Sequence, residues 1–599
     1  MSARRLVVWV AAVLVVAAGC AATQRHAHGA YSFVTLGDNR SGEPVVQPQA
    51  YRDNIRLINA LAPQPDFVVI VGDLILGYTD DRELILREWE EFDRVTSALR
   101  PRVYLVPGNH DIWSEESRRI YMERHGPTYY SFDHKGDHFI VLSSEEQGEG
   151  EAGRIVGVQL DWLAADLERH GGARHTFVFL HQPLWAAPRG MAESGWDETV
   201  HPLLAKHGVD VVFAGHDHQF VNYGVRDGVQ YYVTGGAGAP AGGLGGFHHF
   251  MVTTVEPAAA RSVVVDVQGA VLPDDVVTVD MKAGYAQLSE ALTFPGFELP
   301  AEADRVVLSR TLHNPFDKAL QVRYAWGVAG TGWEVEPADG AINVAPQGEA
   351  VLEAVARFDR KHLVPVPEFR STLLVEGRRI ADISCRLQPL IRRQAAVAQV
   401  ERSPVIDGVV GEAEYGAAQW NGAFVDYRGR GNAEHETKFL LAYDHRALYI
   451  AVVGDEPDPG AITLQPRERD GEIWRDDDIE VFVDADFDRS TYHQFAVNLG
   501  GVQFDAIGGP EHGQWGDTKW DARWESRVSI GATQYVVEFV IPYEALGVGA
   551  PKAGDTWGLN ICRQRQALSA TRAYPEMDAW SIPYANFHVP THFGTVTFR

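Results

Sequence analysis

Five short apolar runs in the first 220 residues each break off at a turn and hand over to a charged, amide or imidazole side chain. The clearest occupies residues 103–111, Val-Tyr-Leu-Val-Pro-Gly-Asn-His-Asp, where Pro107 and Gly108 stop the run and Asn109, His110 and Asp111 follow at once. Tyr31–Leu36 leads into Gly37, Asp38, Asn39 and Arg40, and Phe67–Val71 leads into Gly72 and Asp73. Residues 176–180 lead into His181, and Val211–Ala214 into Gly215, His216, Asp217 and His218. Near-continuous apolar runs of this length read as strands buried on both faces. Groups at the C-terminal ends of such strands meet in the crevice where α/β sheets hold their ligands. Between the runs, Ile55, Ile58 and Leu61, then Ile85, Trp89, Phe92 and Leu99, recur at helical spacing, and residues 159–170 and 199–207 repeat the pattern. Strands alternating with helices predict a layered α/β domain.

The gathered groups are carboxylate or amide oxygens and imidazoles, a mixed set that suits divalent transition metals. Taken in order, Gly72-Asp73, Gly108-Asn109-His110-Asp111, the lone His181 and Gly215-His216-Asp217-His218 resemble the motifs of the calcineurin-like metallophosphoesterases, over about residues 31–270. The resemblance implies a four-layer α/β sandwich. It also implies hydrolysis of phosphomonoesters or phosphodiesters by metal-activated water, with two divalent ions (Mn, Fe or Zn). It assigns Asp73, Asn109, His181 and His216 to one metal, and Asp38, Asp73 and His218 to the other. His110 is then the general acid and Asp111 orients its ring. Arg40 departs from the pattern, standing where the first motif has a histidine ligand, and a guanidinium cannot bind a metal. Either water completes that second site while Arg40 clamps the substrate phosphate, or the site is mononuclear or inactive. Tyr78 reads as packing rather than as a ligand.

A length of 599 residues suggests about four domains. A formal net charge of -28 opposes nucleic acid and anionic membrane surfaces as partners. Residues 1–20 read as a signal segment: Arg4 and Arg5 precede an apolar run too short to span a bilayer, and Ala17-Ala18-Gly19-Cys20 resembles a lipoprotein cleavage box. The expectation is a lipid on Cys20, a tether over residues 21–30, and an extracytoplasmic place in the cell envelope. Ordinary cleavage to a secreted product is the alternative. Cys385 and Cys562 are expected as buried free thiols.

The glycine-rich residues 235–246 include Pro240 and lead into no amphipathic helix, so they are not a dinucleotide fingerprint. They read as a flexible loop at the rim of the site, anchored by His248 and His249. From residue 285 to 390 the helical pattern is absent, and short alternating runs between Pro and Gly turns predict an immunoglobulin-like β-sandwich spacer.

Residues 400–599 again read as many short strands, with Val405-Ile406-Asp407-Gly408 at the start, Trp474 to Asp484 in the middle and Phe593-Gly594 near the end. This segment resembles the family 9 carbohydrate-binding modules. By that resemblance Trp474 and Trp580 sandwich a sugar while Glu480 and Asn498 bind its hydroxyls. Most of the segment's other tryptophans, which include Trp515, Trp520 and Trp524, are expected in the core. The acidic residues Asp476, Asp477, Asp478, Asp484, Asp486 and Asp488 could hold structural Ca²⁺. The whole chain reads as a phosphoesterase tethered to glycan or cell-wall polysaccharide. Its rivals are a glycan-binding surface protein with a degenerate phosphoesterase domain, and a nucleotide phosphodiesterase.

Overall fold

The computed structural model describes residues 29–599 apart from 80, 147–152, 187–193, 301, 466–467, 514 and 568–574, and of Glu412 the backbone only. The expected signal segment, Cys20 and most of the tether lie outside the described residues. Among the described residues no helix is long and apolar enough to cross a membrane.

The N-terminal third is built on two six-stranded sheets. One contains β1 (Tyr31–Leu36), β2 (Phe67–Val71), β3 (Arg102–Val106), β10 (His249–Glu256), β11 (Ala259–Asp266) and β12 (Val271–Pro273). The other contains β4 (Tyr130–His134), β5 (Asp137–Val141), β6 (Thr176–Phe179), β7 (Val211–Ala214), β8 (Phe220–Arg226) and β9 (Val229–Thr234). The all-apolar strands are central. β1, β2 and β3 run parallel, as do β5, β6, β7 and β9, so their C-terminal ends open on one edge of each sheet. Phe33, Phe67, Phe139, Phe177 and Phe213 interlock between the sheets.

Helices cover both outer faces. α1 (Gln49–Ala60), α2 (Arg82–Thr96) and α3 (Glu115–His125) pack on the first sheet through Ile55, Trp89, Phe92 and Tyr121. α4 (Gly157–Arg169) and α5 (His201–Lys206) cover the second through Leu163, Leu167 and Leu204. Helix, sheet, sheet, helix is the expected four-layer order. α3 was not apparent in the sequence because its buried face is only Ser117, Ile120 and Tyr121. A reciprocal Ser114/Ser117 capping box starts it.

α6 (Met281–Ala291) is also a correction, since helical spacing was expected to end before residue 285. Only Gly284 and Leu288 are buried on it, too narrow a stripe to read as amphipathic. Beyond it, seven antiparallel strands between residues 305 and 386 form sheets of three and four strands packed face to face. Leu288, Leu292 and Phe294 join the sandwich core to the core between the two N-terminal sheets, so one apolar cluster runs through both.

The C-terminal region is a single continuous sheet folded on itself. Gln394–Gln399 pairs in parallel with both Gly594–Phe598 and Thr437–Tyr443 and so passes from one half to the other. Ile479, Val481, Phe539 and Ile541 meet between the halves. Cys562 is buried and Cys385 half-buried, and both are free.

The strand-end loops that carry the site are tied together by Asp111. Its Oδ1 accepts from the amides of Leu74 (2.9 Å) and Ile75 (3.2 Å), and its Oδ2 from that of Gly108 (2.7 Å). The expected role of Asp111 in orienting the His110 ring is therefore wrong. Both its oxygens are committed to backbone, and the His110 Nδ1 donates instead to the carbonyl of Leu76.

Two predictions follow from these buried polar groups. Asp111→Ala strands three amides and should lower unfolding free energy by about 3 kcal/mol in urea titration, with Asp111→Asn, which keeps one acceptor oxygen, costing less. At the start of β5, both nitrogens of His138 donate to carboxylates, Asp133 at 2.7 Å and Asp166 at 2.8 Å, which requires the imidazolium. Burial opposes that charge, but the two carboxylates outweigh it and raise the His138 pKa. The resulting stability is complete below about pH 6.5 and is lost as pH rises through the raised folded value. The stability gap between wild type and His138→Gln should be larger at pH 6 than at pH 9.

Candidate metal centre and carbohydrate face

Each predicted strand-end residue reaches one crevice at the seam between the two N-terminal sheets. Asp38, Asp73, Tyr78, His216 and His218 all hold left-handed backbone, with φ of 60°, 56°, 52°, 71° and 46°. Non-glycine residues rarely adopt this conformation, and it clusters where side chains must be aimed. Glycines make the room. A Cβ on Gly72 would overlap the His181 ring, and a Cβ on Gly215 or Gly235 would stand 2.5 or 2.6 Å from Asp38 Oδ2.

The tightest cluster contains four side chains. Asn109 Oδ1 lies 2.9 Å from both His181 Nε2 and His216 Nδ1, which are 3.3 Å apart, and Asp73 Oδ1 lies 3.1 Å from His181 Nε2. His181 Nδ1 donates to the carbonyl of Val71 at 2.8 Å, which fixes the tautomer. As the imidazolium, His181 donates through Nε2 to these oxygens, and a cation taking the place of that proton would face the Nε2 lone pair and both oxygens. Ligand atoms about 2.1 Å from a shared cation sit about 3.0 to 3.4 Å from one another, so these separations fit a divalent ion. Asp38, Asp73 and His181 also offer ligand atoms within 4.8 Å of one another.

The remaining ligands expected at the second metal meet the guanidinium instead. Arg40 Nε donates to Asp73 Oδ2 at 3.3 Å and Nη2 reaches His218 Nε2 at 3.5 Å. His218 Nδ1 faces the Pro240 carbonyl at 3.1 Å, so its Nε2 is free to accept. Asp38 stands 3.5 Å from the same Nε2 and accepts from the His216 amide through both oxygens.

Protonation follows from burial and neighbours. Burial drives the Asp38 carboxyl well up. Burial acts the same way on Asp73, but His181, His110 and Arg40 overcome it and hold that carboxylate far below its usual range. Burial alone would lower His181, and Asp73 pulls it well up. Burial, with the charge of His181 added, lowers His216 to about 4. Burial also lowers His110 and His218.

Tyr78 is not packing. It is 54% exposed, its hydroxyl accepts from Asn109 Nδ2 at 2.6 Å, and its ring lies 4.2 Å from that of His110. Its place after Gly77 was the only sign of this in the sequence. Glu145 was also missed: it is buried, feels the charge of His181, and is held by Ser144 and Gln182. The glycine-rich loop is not an open rim. Gly235, Gly236 and Gly238 are buried, and the amides of Ala237 and Ala239 bond to the carbonyls of Gly37 and Asp38. His249 anchors it through Phe247 and Thr234.

In the C-terminal region Ile479 and Val481 face the core, so Asp478, Glu480 and Phe482 face the other way. Glu480 accepts from Gln494 Nε2 at 2.6 Å and from Gln564 Nε2 at 2.8 Å, and burial lifts its pKa to about 7. Trp474 is 45% exposed, as a platform requires. Glu480, by contrast, is 4% exposed with both oxygens taken by the two glutamines, and the other two expected sugar contacts are corrected. Trp580 is 2% exposed and packs edge-on against Phe439, because Gly594 leaves it a slot in the core. Asn498 is buried and closes a turn, accepting from Gly500 and Val502 while donating to Asp476. Trp515, expected in the core, is exposed, while Trp524 is buried. Asp476 and Asp477 accept loop amides from Gln465 and Thr463. Of the six acidic residues, Asp484, Asp486 and Asp488 offer ligand atoms within 4.8 Å of one another, and Asp484 already closes their turn through the amides of Asp488 and Arg489.

Comparison with known proteins agrees with this geometry. Residues 28–220 match the family model for calcineurin-like phosphoesterases, and residues 406–599 match that for carbohydrate family 9 binding domain-like proteins. The serine/threonine-protein phosphatase CPPED1 of Danio rerio is 27% identical over 223 residues, 35% of this chain and 72% of that one. The human CPPED1 is 28% identical over 197 residues, 30% of this chain and 62% of its own length. Purple acid phosphatase 21 of Arabidopsis thaliana is 29% identical over 179 residues, 26% of this chain and 39% of its own. Among solved structures, a dimetal phosphatase from Danio rerio covers 39% of this chain and 95% of its own, at 18% identity and a TM-score of 0.32. The carbohydrate-binding module of family 9 from Caldicellulosiruptor kristjanssonii, solved with glucose, covers 35% of this chain and 96% of its own, at 20% identity and a TM-score of 0.27. One polypeptide therefore joins a calcineurin-like phosphoesterase domain to a family 9-like carbohydrate-binding domain.

Proposed function

We propose that this chain hydrolyses phosphate monoesters outside the cytoplasm while its C-terminal domain holds the enzyme on a carbohydrate. The observation that carries the catalytic half is the meeting of Asp73 Oδ1, Asn109 Oδ1 and His216 Nδ1 around His181 Nε2 at 2.9 to 3.3 Å. A divalent ion held there supplies Lewis-acid charge and lowers the pKa of water. The phosphatases among the relatives support the monoester reading. The basic start and apolar run of residues 1–20 support the location, and the sandwich between the two domains is read as an immunoglobulin-like spacer.

The chain's own groups do the rest. Arg40 spends two of its five N–H donors on Asp73 and His218, which leaves three for phosphoryl oxygens. His110, pinned through Nδ1 to the carbonyl of Leu76, keeps Nε2 on the substrate side, 3.8 Å from Asp73 Oδ2. An anionic phosphate beside that ring favours its charged form and readies it to protonate the leaving oxygen. The guanidinium already stands between two ligands of the second position, so the reading is one divalent ion per chain with Arg40 as the second positive charge.

Four measurements test this. Purified protein should turn over p-nitrophenyl phosphate with Mn²⁺, Fe²⁺ or Zn²⁺, and Asp73→Ala or His181→Ala should lower kcat about 100-fold or more. Unchanged turnover in those variants refutes the assignment. Elemental analysis should give one metal per wild-type chain, rising towards two in Arg40→His. Two in the wild type overturns the single-ion reading, and none, together with no turnover, leaves a glycan-binding scaffold. Trp474→Ala should weaken binding of cello-oligosaccharides about tenfold by calorimetry, roughly 1.4 kcal/mol. Trp580→Ala should instead cost about 3 to 5 kcal/mol of stability.

A further inference from the structure

The wall facing the metal-ligating edge does not belong to the α/β sandwich. A cavity of about 930 Å³ runs from His216 past Gln219 to α6, where Tyr285 and Ser289 close its far side. That volume is at the upper end for a small-molecule site and far exceeds what a phosphate needs. It is not slack between loosely tethered bodies. A Cβ on Gly284 of α6 would come within 2.6 Å of Pro315, so helix and sandwich touch closely, while Leu288 and Leu292 share a core with Phe220 and Leu244. Asn222 of β8 exchanges backbone bonds with Val277 and Val279, fixing the segment that leads into α6.

The chemistry of the walls selects the occupant. Among the described residues the charged lining groups are Asp217, Glu290 and Lys282, and the Lys282 ammonium donates to the Tyr223 hydroxyl at 2.6 Å. Two carboxylates against one ammonium leave this wall, among the described residues, net negative, which disfavours an anionic leaving group such as a nucleotide or polyphosphate. Tyr285 is, among the described residues, the one aromatic in the lining, and a single ring does not clamp a base from both faces. Amide, hydroxyl and carboxylate groups together suit a neutral partner rich in hydroxyls, each of which can donate and accept.

Resting on the phosphomonoesterase reading, the geometry points to a sugar phosphate as substrate, with its sugar ring lying between His216 and α6. Ser289 and Tyr285 are then specificity-determining residues supplied from outside the catalytic fold.

The test compares kcat/KM for glucose 6-phosphate and methyl phosphate on the full-length protein loaded with the metal found to support turnover. Both are alkyl monoesters with similar leaving groups, so their ratio reads the cleft rather than the chemistry. The ratio should favour glucose 6-phosphate by about tenfold or more. Ser289→Trp, which fills the cleft from a half-buried position, should pull it towards one, and Tyr285→Ala should lower it if the tryptophan variant fails to fold. A wild-type ratio near one, or a ratio that both variants leave untouched, overturns the inference and leaves the phosphomonoesterase reading standing. No turnover of either ester sinks that reading, and this one with it.

Discussion

Two carboxylates removed from water face the same crevice, and the structure around them is arranged to supply positive charge. Taking a carboxylate into a protein interior costs several kcal/mol unless a partner compensates. Asp73 has its compensation in the structure, from His181, His110 and Arg40, and burial does not prevent it from staying ionised. Asp38 does not: its oxygens take two bonds from one amide, and burial drives it towards the neutral acid. A cation touching both would reverse that, since a bound ion is the largest charge in any such site. The left-handed backbone at Asp38, Asp73, His216 and His218 makes sense in the same terms, because strain of about 1 to 2 kcal/mol per residue is tolerable where it aims ligands.

How much of this was legible follows from what each residue has to do. The strand ends could be read because their function needs a whole run, apolar residues for burial and then a turn, and runs leave patterns. Asn109, His181 and His216 were found that way and do meet. Asp111 and Asn498 were misassigned for one shared reason. A carboxylate or amide in a tight turn has more backbone N–H groups within reach than substrate atoms, and in both cases those amides took it. Trp580 failed differently: whether an indole stacks on sugar or fills a core depends on the neighbour opposite, here Gly594, which the fold and not the local pattern brings against the ring. Arg40 was visible as a departure, but the consequence that it reaches both Asp73 and His218 was not.

α6 was missed because it serves two clients with a thin stripe of apolar residues. Leu288 goes to the shared core, with Met281, Tyr285 and Ala291 packed part-buried against it, and Gly284 makes close contact with Pro315, while Lys282, Ser289 and Glu290 line the cleft. A helix that buried a full face would have shown itself, but it would have had no polar side left for the cavity. The N-terminal domain and the sandwich are therefore one packed body, and the helix between them can be both mortar and wall.

The overall charge makes the carbohydrate half of the molecule physically useful to the phosphoesterase half. A chain carrying -28 repels a free phosphate ester at long range, and on the proposed reading Arg40 together with a bound divalent ion would reverse that field within the crevice. Approach through a neutral handle avoids the penalty. Hydroxyl-rich ligands feel no net repulsion, and a domain that holds one end of a polymer raises the local concentration of every other group on it by an amount set by reach rather than by charge. On the proposed reading the acidic surface slows every free phosphate ester alike, and the glycan contacts offset this by keeping the enzyme where carbohydrate is concentrated.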